Sequence, residues 1–264
     1  MYETVDRFRK KMDAGELCLG AGITLSDPSI VEALAPAVDF FWIDLEHTHL
    51  SYETVLAHLV AARAGDKPAF VRVRGSDVAH IKPVLDIGAG GIIVPQVRSA
   101  GEVQQVVSAC RYAPLGNRGF GPRRAANYGR DGGSDWMRRV NQQIFVAVQI
   151  ENESAYAELD AIAATDGVDS IVLGPYDLSV ALGHAGELQH PVVVDAIEQI
   201  IATASKAGKY VGSGMAAYAG EALVASGRGV QWIQCGDDCG YMVAHIEQLF
   251  REIRCRQSPS GGRT

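Results

Sequence analysis

The feature that most restricts the fold is an alternation that runs the length of the chain. Short β-rich apolar runs are separated by longer segments in which apolar residues recur three and four apart. A strand apolar on both faces followed by an amphipathic helix is the repeat of a parallel sheet packed under helices. After an opening helix at about Thr4 to Ala14, strands are predicted at Leu17–Thr24, Phe40–Asp44, Ala69–Val73, Gly91–Val94, Phe145–Ile150, Ser170–Leu173, Tyr210–Ser213 and Trp232–Cys235. Helical patterns follow them at Pro28–Leu34, Tyr52–Ala64, Val78–Ile87, Ala100–Tyr112, Glu153–Ala164, Val192–Ala207, Gly220–Ser226 and Tyr241–Arg254. Eight such units in 264 residues predict an α/β fold, a single (β/α)₈ TIM barrel. The competing doubly wound sheet would carry a Gly-x-Gly-x-x-Gly turn after its first strand, and none stands there.

The barrel domain is expected over residues 1–256, with a disordered tail at 257–264 of linker-like composition (QSPSGGRT). One connection is disproportionate: Ala113 to Gln143 is rich in Gly and Pro, as functional or mobile loops are. The net charge of −7, from 31 acidic and 24 basic residues, repels phosphate backbones and anionic lipid, which argues against nucleic acid or membrane as partners. No run approaches the roughly 20 apolar residues of a membrane span, and the charged start lacks a signal-peptide core, so a cytoplasmic location is expected. The five cysteines read as reduced thiols, and Cys235 and Cys239 lack the second Cys/His pair of a zinc site.

In a barrel the chemistry sits where strands end. Strand two runs into Asp44, Glu46 and His47; strand three carries Arg72 and Arg74; strand five ends in Gln149 and Glu151; strand six ends in Gly174-Pro175-Tyr176-Asp177. Glu151 and Asp177, at the exits of adjacent strands, would repel unless a cation lay between them. Taken singly, each acid also reads as a solvated loop residue or helix cap. All-oxygen ligation suits Mg²⁺ or Mn²⁺ and tolerates Co²⁺. His47 is a candidate general base, and Asp86, a charge disfavoured at a helix C-terminus, is a candidate to orient it. Pattern alone does not choose between Arg72 and Arg74, either of which would serve equally as a structural ion pair.

Three further signals bear on the chemistry. His47-Thr48-His49 is the His-x-His pair that opens two-metal hydrolase sites, whose later histidines would here have to be His184 and His190. The basic stretch Arg118–Arg124 reads equally as a grip for a substrate carboxylate and as a solvated loop. All six lysines (Lys10, Lys11, Lys67, Lys82, Lys206 and Lys209) fall on predicted helices or loops, none at a strand's end, which argues against Schiff-base chemistry.

Several segments, taken in order, resemble the HpcH/HpaI aldolases, metal-dependent class II pyruvate aldolases related to macrophomate synthase. They are Trp42-Ile43-Asp44-Leu45-Glu46-His47, Leu85-Asp86-Ile87-Gly88-Ala89, Val94-Pro95-Gln96-Val97, Arg111-Tyr112-Ala113-Pro114-Leu115-Gly116 with Arg118-Gly119, Gln149-Ile150-Glu151 and Gly174-Pro175-Tyr176-Asp177-Leu178-Ser179. The resemblance implies that Glu151 and Asp177 hold the metal, that His47 and Asp86 form the base dyad, and that Arg72, five residues before Asp77, stands beside the pyruvyl oxygen. It makes Gln149 a substrate contact, with the peptide groups around Gly174, Tyr176 and Asp177 facing the substrate carboxylate. It implies reversible cleavage of a 4-hydroxy-2-oxo acid into pyruvate and an aldehyde, through a metal-stabilised enolate. A homo-hexamer that exchanges its last helix between neighbours is also implied. Leu45 departs from the glycine common beside the catalytic histidine, which bears on acceptor space. A CoA-ester lyase of the citrate-lyase-β or malyl-CoA type and a non-catalytic keto-acid-binding barrel are the alternative readings.

Overall fold

The computed structural model describes residues 2–214 and 218–257. Its strands are β1 (Cys18–Ile23), β2 (Phe40–Asp44), β3 (Ala69–Arg72), β4 (Gly91–Val94), β5 (Phe145–Ile150), β6 (Ser170–Leu173), β7 (Tyr210–Ser213) and β8 (Trp232–Asp237). They pair in parallel in sequence order and close, β8 against β1, into a barrel. The helices are α1 (Glu3–Asp13), α2 (Ser29–Leu34), α3 (Tyr52–Ala64), α4 (Val78–Asp86), α5 (Ala100–Cys110), α6 (Gly133–Gln143), α7 (Glu153–Ala157), α8 (Leu159–Ala163), α9 (Pro175–Ala181), α10 (Pro191–Lys206), α11 (Ala219–Gly227) and α12 (Asp238–Gln257).

Local chemistry sets several helix starts. Ser51, Asp77, Ser99 and Asn152 each accept a hydrogen bond from a backbone N–H in the first turn, capping α3, α4, α5 and α7. Pro175 and Pro191 stand at first helical positions, where no N–H is wanted.

Apolar burial divides into two bodies. The larger lies between the strands and the helices and includes Val71, Ile92, Val148 and Ile171. The smaller fills the barrel itself with Phe40, Trp42, Phe70, Ile93, Phe145, Val172 and Trp232. Such bulky rings fit because glycines face them: a Cβ on Gly212 would stand 2.2 Å from the Trp232 indole. Helix α1 closes the N-terminal end, where Phe8 sits 5.0 to 6.0 Å from the rings of Phe70, Phe40, Phe145 and Trp232. Within this plug the Trp232 indole N–H donates to the Ser170 hydroxyl, while Arg72, Gln149 and Glu151 lie at the opposite, C-terminal mouth.

The structure departs from the sequence expectation in three places. The segment from Ala113 to Gln143 is not all loop, since its second half forms α6, whose Trp136 and Val140 are buried one turn apart. Its glycines, Gly129 and Gly133 at positive φ, mask that periodicity in the sequence. The helix predicted over Glu153–Ala164 breaks at Glu158, whose carboxylate accepts the N–H of Ala100 at the start of α5. The last helix is longer than predicted and ends at Gln257, so of the expected tail 257–264 its first residue is helical and 258–264 lie outside the described residues. Beyond the buried Asp238, α12 leaves its own barrel: Tyr241, Met242, Val243, Ile246, Leu249, Phe250 and Ile253 are all exposed. No helix among the described residues is long and apolar enough to cross a membrane.

Because Phe8 joins four strands from below, Phe8→Ala is expected to destabilise the chain by about 3–5 kcal/mol through the cavity left in the aromatic plug. Denaturant unfolding followed by far-UV circular dichroism checks this, and a loss under about 1 kcal/mol would mean that the barrel closes without its plug.

Candidate active site

The mouth of the barrel is organised around one guanidinium. Arg72, the last residue of β3, donates from Nε and Nη2 to the two carboxylate oxygens of Asp44 at 2.8 and 2.7 Å. Its Nη1 lies 3.1 Å from Glu46. The same ion stands 5.5 Å above the Trp42 ring. Burial draws Arg72 down, but the hydrogen bond and charge of Asp44, with Glu46 and Glu151, more than reverse this and leave it held above its ordinary value. Arg74 acts on the backbone instead, donating to the carbonyls of Leu45 and Leu50 and fastening the loop that carries His47. The two arginines, alike in the sequence pattern, thus touch different groups.

Glu151 follows β5 and is 2 % exposed. One oxygen accepts the N–H of Gln96 at 2.7 Å and the other the side-chain N–H of Gln149 at 2.9 Å. The approach is close on the far side as well, since a Cβ on Gly174 would meet a Glu151 oxygen at 2.4 Å, so only glycine fits there. Burial pushes the Glu151 carboxyl up to about 7, with the charges of Glu46 and Asp177 acting in the same direction against the Gln96 N–H and Arg72. Glu46 is raised as well, first by burial, with Asp44 and Asp177 adding to it. Asp177, in the first turn of α9, and Tyr176 beside it are exposed at the rim. Gln149 keeps its amide oxygen buried with no hydrogen-bond partner. A half-charged, desolvated carboxylate facing two others, next to an unused acceptor, is a donor set that suits a hard divalent cation.

A model of the family described as HpcH/HpaI aldolase/citrate lyase matches residues 23–244. The chain belongs to that family. It is a carbon–carbon lyase of the aldolase type, which favours catalysis over a non-catalytic binding barrel. It is 38% identical over 209 residues to a hydroxypyruvate/pyruvate aldolase of Pseudomonas aeruginosa, covering 79% of this chain and 78% of that one. Over 208 residues it is 39% identical to a 4-hydroxy-2-oxo-heptane-1,7-dioate aldolase of Shigella sonnei, covering 78% and 79% of the two. A crystal structure of an HpcH/HpaI aldolase/citrate lyase family protein from Burkholderia cenocepacia superposes with a TM-score of 0.88 at 30% identity, covering 96% of this chain and all of that one.

In this aldolase the mouth brings together Arg72, Gln149, Glu151, Gly174 and Asp177, with His47 at its edge. The imidazole of His47 is two-thirds exposed, and its ion-pair partner is Glu46 at 3.6 Å. Asp86 is elsewhere. It is the last residue of α4, which runs back from the mouth for roughly 13 Å, and it lies at the opposite end of the barrel, where Arg118 and Lys82 hold it at 3.3 and 3.1 Å. Within one chain, no ion pair joins His47 to Asp86 among the described residues. Leu45 is buried in the core between strands and helices rather than at the mouth. The basic stretch takes neither predicted role at its two ends. Arg118 is sealed against Asp86 and the Tyr112 ring, and Arg124 donates to the carbonyls of Leu59, Ile87 and Gly88. Arg111 likewise binds the carbonyls of Ile144 and Gly167 and the carboxylate of Asp169.

Three participants carried no assigned role in the sequence. Asp44 and Glu46 are the anions that orient Arg72, and the period of β2 with its terminal acids is the signal that marks them. Gln96 presents its N–H to Glu151 from a left-handed conformation, φ 54°; nothing in the residue type announces it.

The raised Glu151 fixes a pH dependence. Folding strengthens proton binding at this carboxyl, so its contribution to stability is full below the ordinary carboxylate range and is lost as pH rises through about 7. In metal-free protein the unfolding free energy should fall between about pH 5 and about pH 8 by up to about 3 kcal/mol from this group, and Glu151→Gln should remove that component. Denaturant titrations of both proteins test it; an unchanged slope in the variant would assign the dependence to other groups.

Proposed function

We propose that this aldolase reversibly cleaves a 4-hydroxy-2-oxo acid into pyruvate and an aldehyde, with a divalent cation, Mg²⁺, Mn²⁺ or Co²⁺, held by Glu151 and Asp177. The observation that carries the reading is the buried Glu151, facing Glu46, Asp177 and Arg72 at the mouth of the barrel. The names of the relatives, which act on hydroxypyruvate, pyruvate or a 4-hydroxy-2-oxo diacid, support the substrate class. When bound, the cation supplies Lewis-acid stabilisation of the charge that develops on the pyruvyl oxygen.

The chain's own residues do the rest. Arg72, fixed by Asp44 and Glu46, places positive charge beside that oxygen and costs no reorganisation as the enolate forms. Gln149 offers its amide to the bound keto acid. The peptide N–H groups that follow Gly174, at Tyr176 and Asp177, point from the start of α9 and receive the substrate carboxylate. His47 takes the proton from the 4-hydroxyl as the C3–C4 bond breaks, the aldehyde leaves, and C3 of the enolate is then protonated to give pyruvate. Asp86 orients His47 from a neighbouring copy, since within one chain it lies at the far end of the barrel. The exposed apolar face of α12 supports the same assembly, a homo-hexamer in which neighbours exchange this helix. The cysteines are free thiols, in keeping with a reducing, cytoplasmic compartment.

Chelation is expected to abolish aldol cleavage and Mn²⁺ to restore it. Glu151→Gln and Asp177→Asn should each weaken Mn²⁺ binding by at least about tenfold in calorimetry while the thermal melt stays cooperative. Unaltered affinity in both variants would place the ligands elsewhere.

His47→Ala should lower the turnover of cleavage by roughly 10²–10⁴ with metal affinity little changed. Arg72→Ala should also impair exchange of the pyruvate methyl protons, which needs the enolate but no aldehyde. Proton exchange followed by NMR should therefore survive better in the His47 variant. If that variant instead loses its metal, His47 and His49 are ligands and the assignment of Glu151 and Asp177 is wrong.

A further inference from the structure

The turn between α9 and α10 gathers three side chains that the aldolase site does not use. His184, Glu187 and His190 each place one potential ligand atom within 4.8 Å of the others. His47 and His49 do not join them, so the histidines of the sequence fall into two separate groups. The imidazoles of His184 and His190 stack with centroids 3.5 Å apart and planes 17° from parallel. Neither ring takes part in a side-chain hydrogen bond or ion pair among the described residues, and His190 Nδ1 is sealed from solvent with no partner. A buried ring nitrogen left unpaired is costly, and turning the two rings out of their stack, so that each aims a ring nitrogen at one shared ion, would offset that cost.

The backbone here is fixed rather than loose. The N–H of Glu187 donates to the carbonyl of His184, and the N–H of His190 to that of Glu187, so successive turns bring residues three apart to one side. The N–H of His184 donates to the carbonyl of Ser179, and the Ser179 hydroxyl accepts from Gly186 and donates to Tyr176. His190 stands immediately before α10, without a side-chain capping bond, and Pro191 is its first helical residue. The three side chains therefore leave a rigid frame whose other end is the helix carrying Asp177.

We propose that His184, Glu187 and His190 form a second cation site, distinct from the carboxylate centre and selective for a first-row divalent ion that prefers imidazole, of which Zn²⁺ is the representative. Two imidazoles and one carboxylate supply three tetrahedral positions and leave the fourth to water. The hard, all-oxygen centre at Glu151 favours Mg²⁺ or Mn²⁺, so the two sites sort ions by donor chemistry. The ion ties the start of α10 to the end of α9 and braces the turn behind the active-site rim.

The test uses the full-length protein, stripped of metal and then held in excess Mg²⁺, titrated with Zn²⁺ in a calorimeter and with Co²⁺ by visible absorption. One equivalent of Zn²⁺ per chain is expected, with Co²⁺ giving imidazole-type bands and no thiolate charge transfer. The same equivalent should persist in Glu151→Gln. Affinity should fall at least about tenfold in His184→Ala and in the exposed Glu187→Gln, whose melts without Zn²⁺ should match the parent. Zn²⁺ binding that disappears in Glu151→Gln, that survives the loss of His184 and Glu187, or that shows thiolate bands from the cysteines would each overturn the proposal. So would no binding under excess Mg²⁺.

Discussion

The bidentate bond from Arg72 to Asp44 is the interaction on which the rest of the mouth depends. Three carboxylates, from Asp44, Glu46 and Glu151, bear on this guanidinium, and Asp177 bears on two of them. Burying so many like charges without it would neutralise them by protonation rather than leave them ready to act. With it, Asp44 and Glu46 act as the fixed counterions, and Glu151 stays near the point of ionisation. The barrel supplies the low-dielectric wall that makes this balance steep, because its own interior is filled by aromatic rings up to Trp42, directly beneath the cation.

The strands were legible almost to the residue because a parallel barrel buries both strand faces, which leaves uninterrupted apolar runs such as Phe40–Asp44 and Phe145–Ile150. Polar residues at the ends of such runs, Arg72, Gln149, Glu151 and Asp177, stand out against that background. Arg118 and Arg124 were not legible. A basic, glycine-rich stretch looks solvated, and only tertiary folding reveals that the carbonyls of Leu59, Ile87 and Gly88 and the carboxylate of Asp86 are waiting for it. Nor does any sequence period report that Gln96 turns its N–H toward Glu151, because a backbone donor has no residue type.

Asp86 shows a limit of another kind. Its place in the motif order suggests a neighbour of His47, yet a helix that begins at one end of a barrel ends at the other. Chain order reports that a residue belongs to a βα unit; it does not report which face of the barrel it reaches. Direction along α4 does, and within one chain it places Asp86 at the far end of the barrel from His47.

The aromatic plug also bears on how the chain comes to be folded. Phe8 precedes every strand of the barrel, whereas one ring it packs against, Trp232, belongs to β8. Until that strand arrives the apolar face of α1 has only part of its site, and the first and last strands cannot pair. Contacts this distant in sequence make closure a late and slow event. During synthesis the unclosed sheet keeps two open edges and an exposed aromatic floor, the form in which such a chain is most exposed to wrong partners.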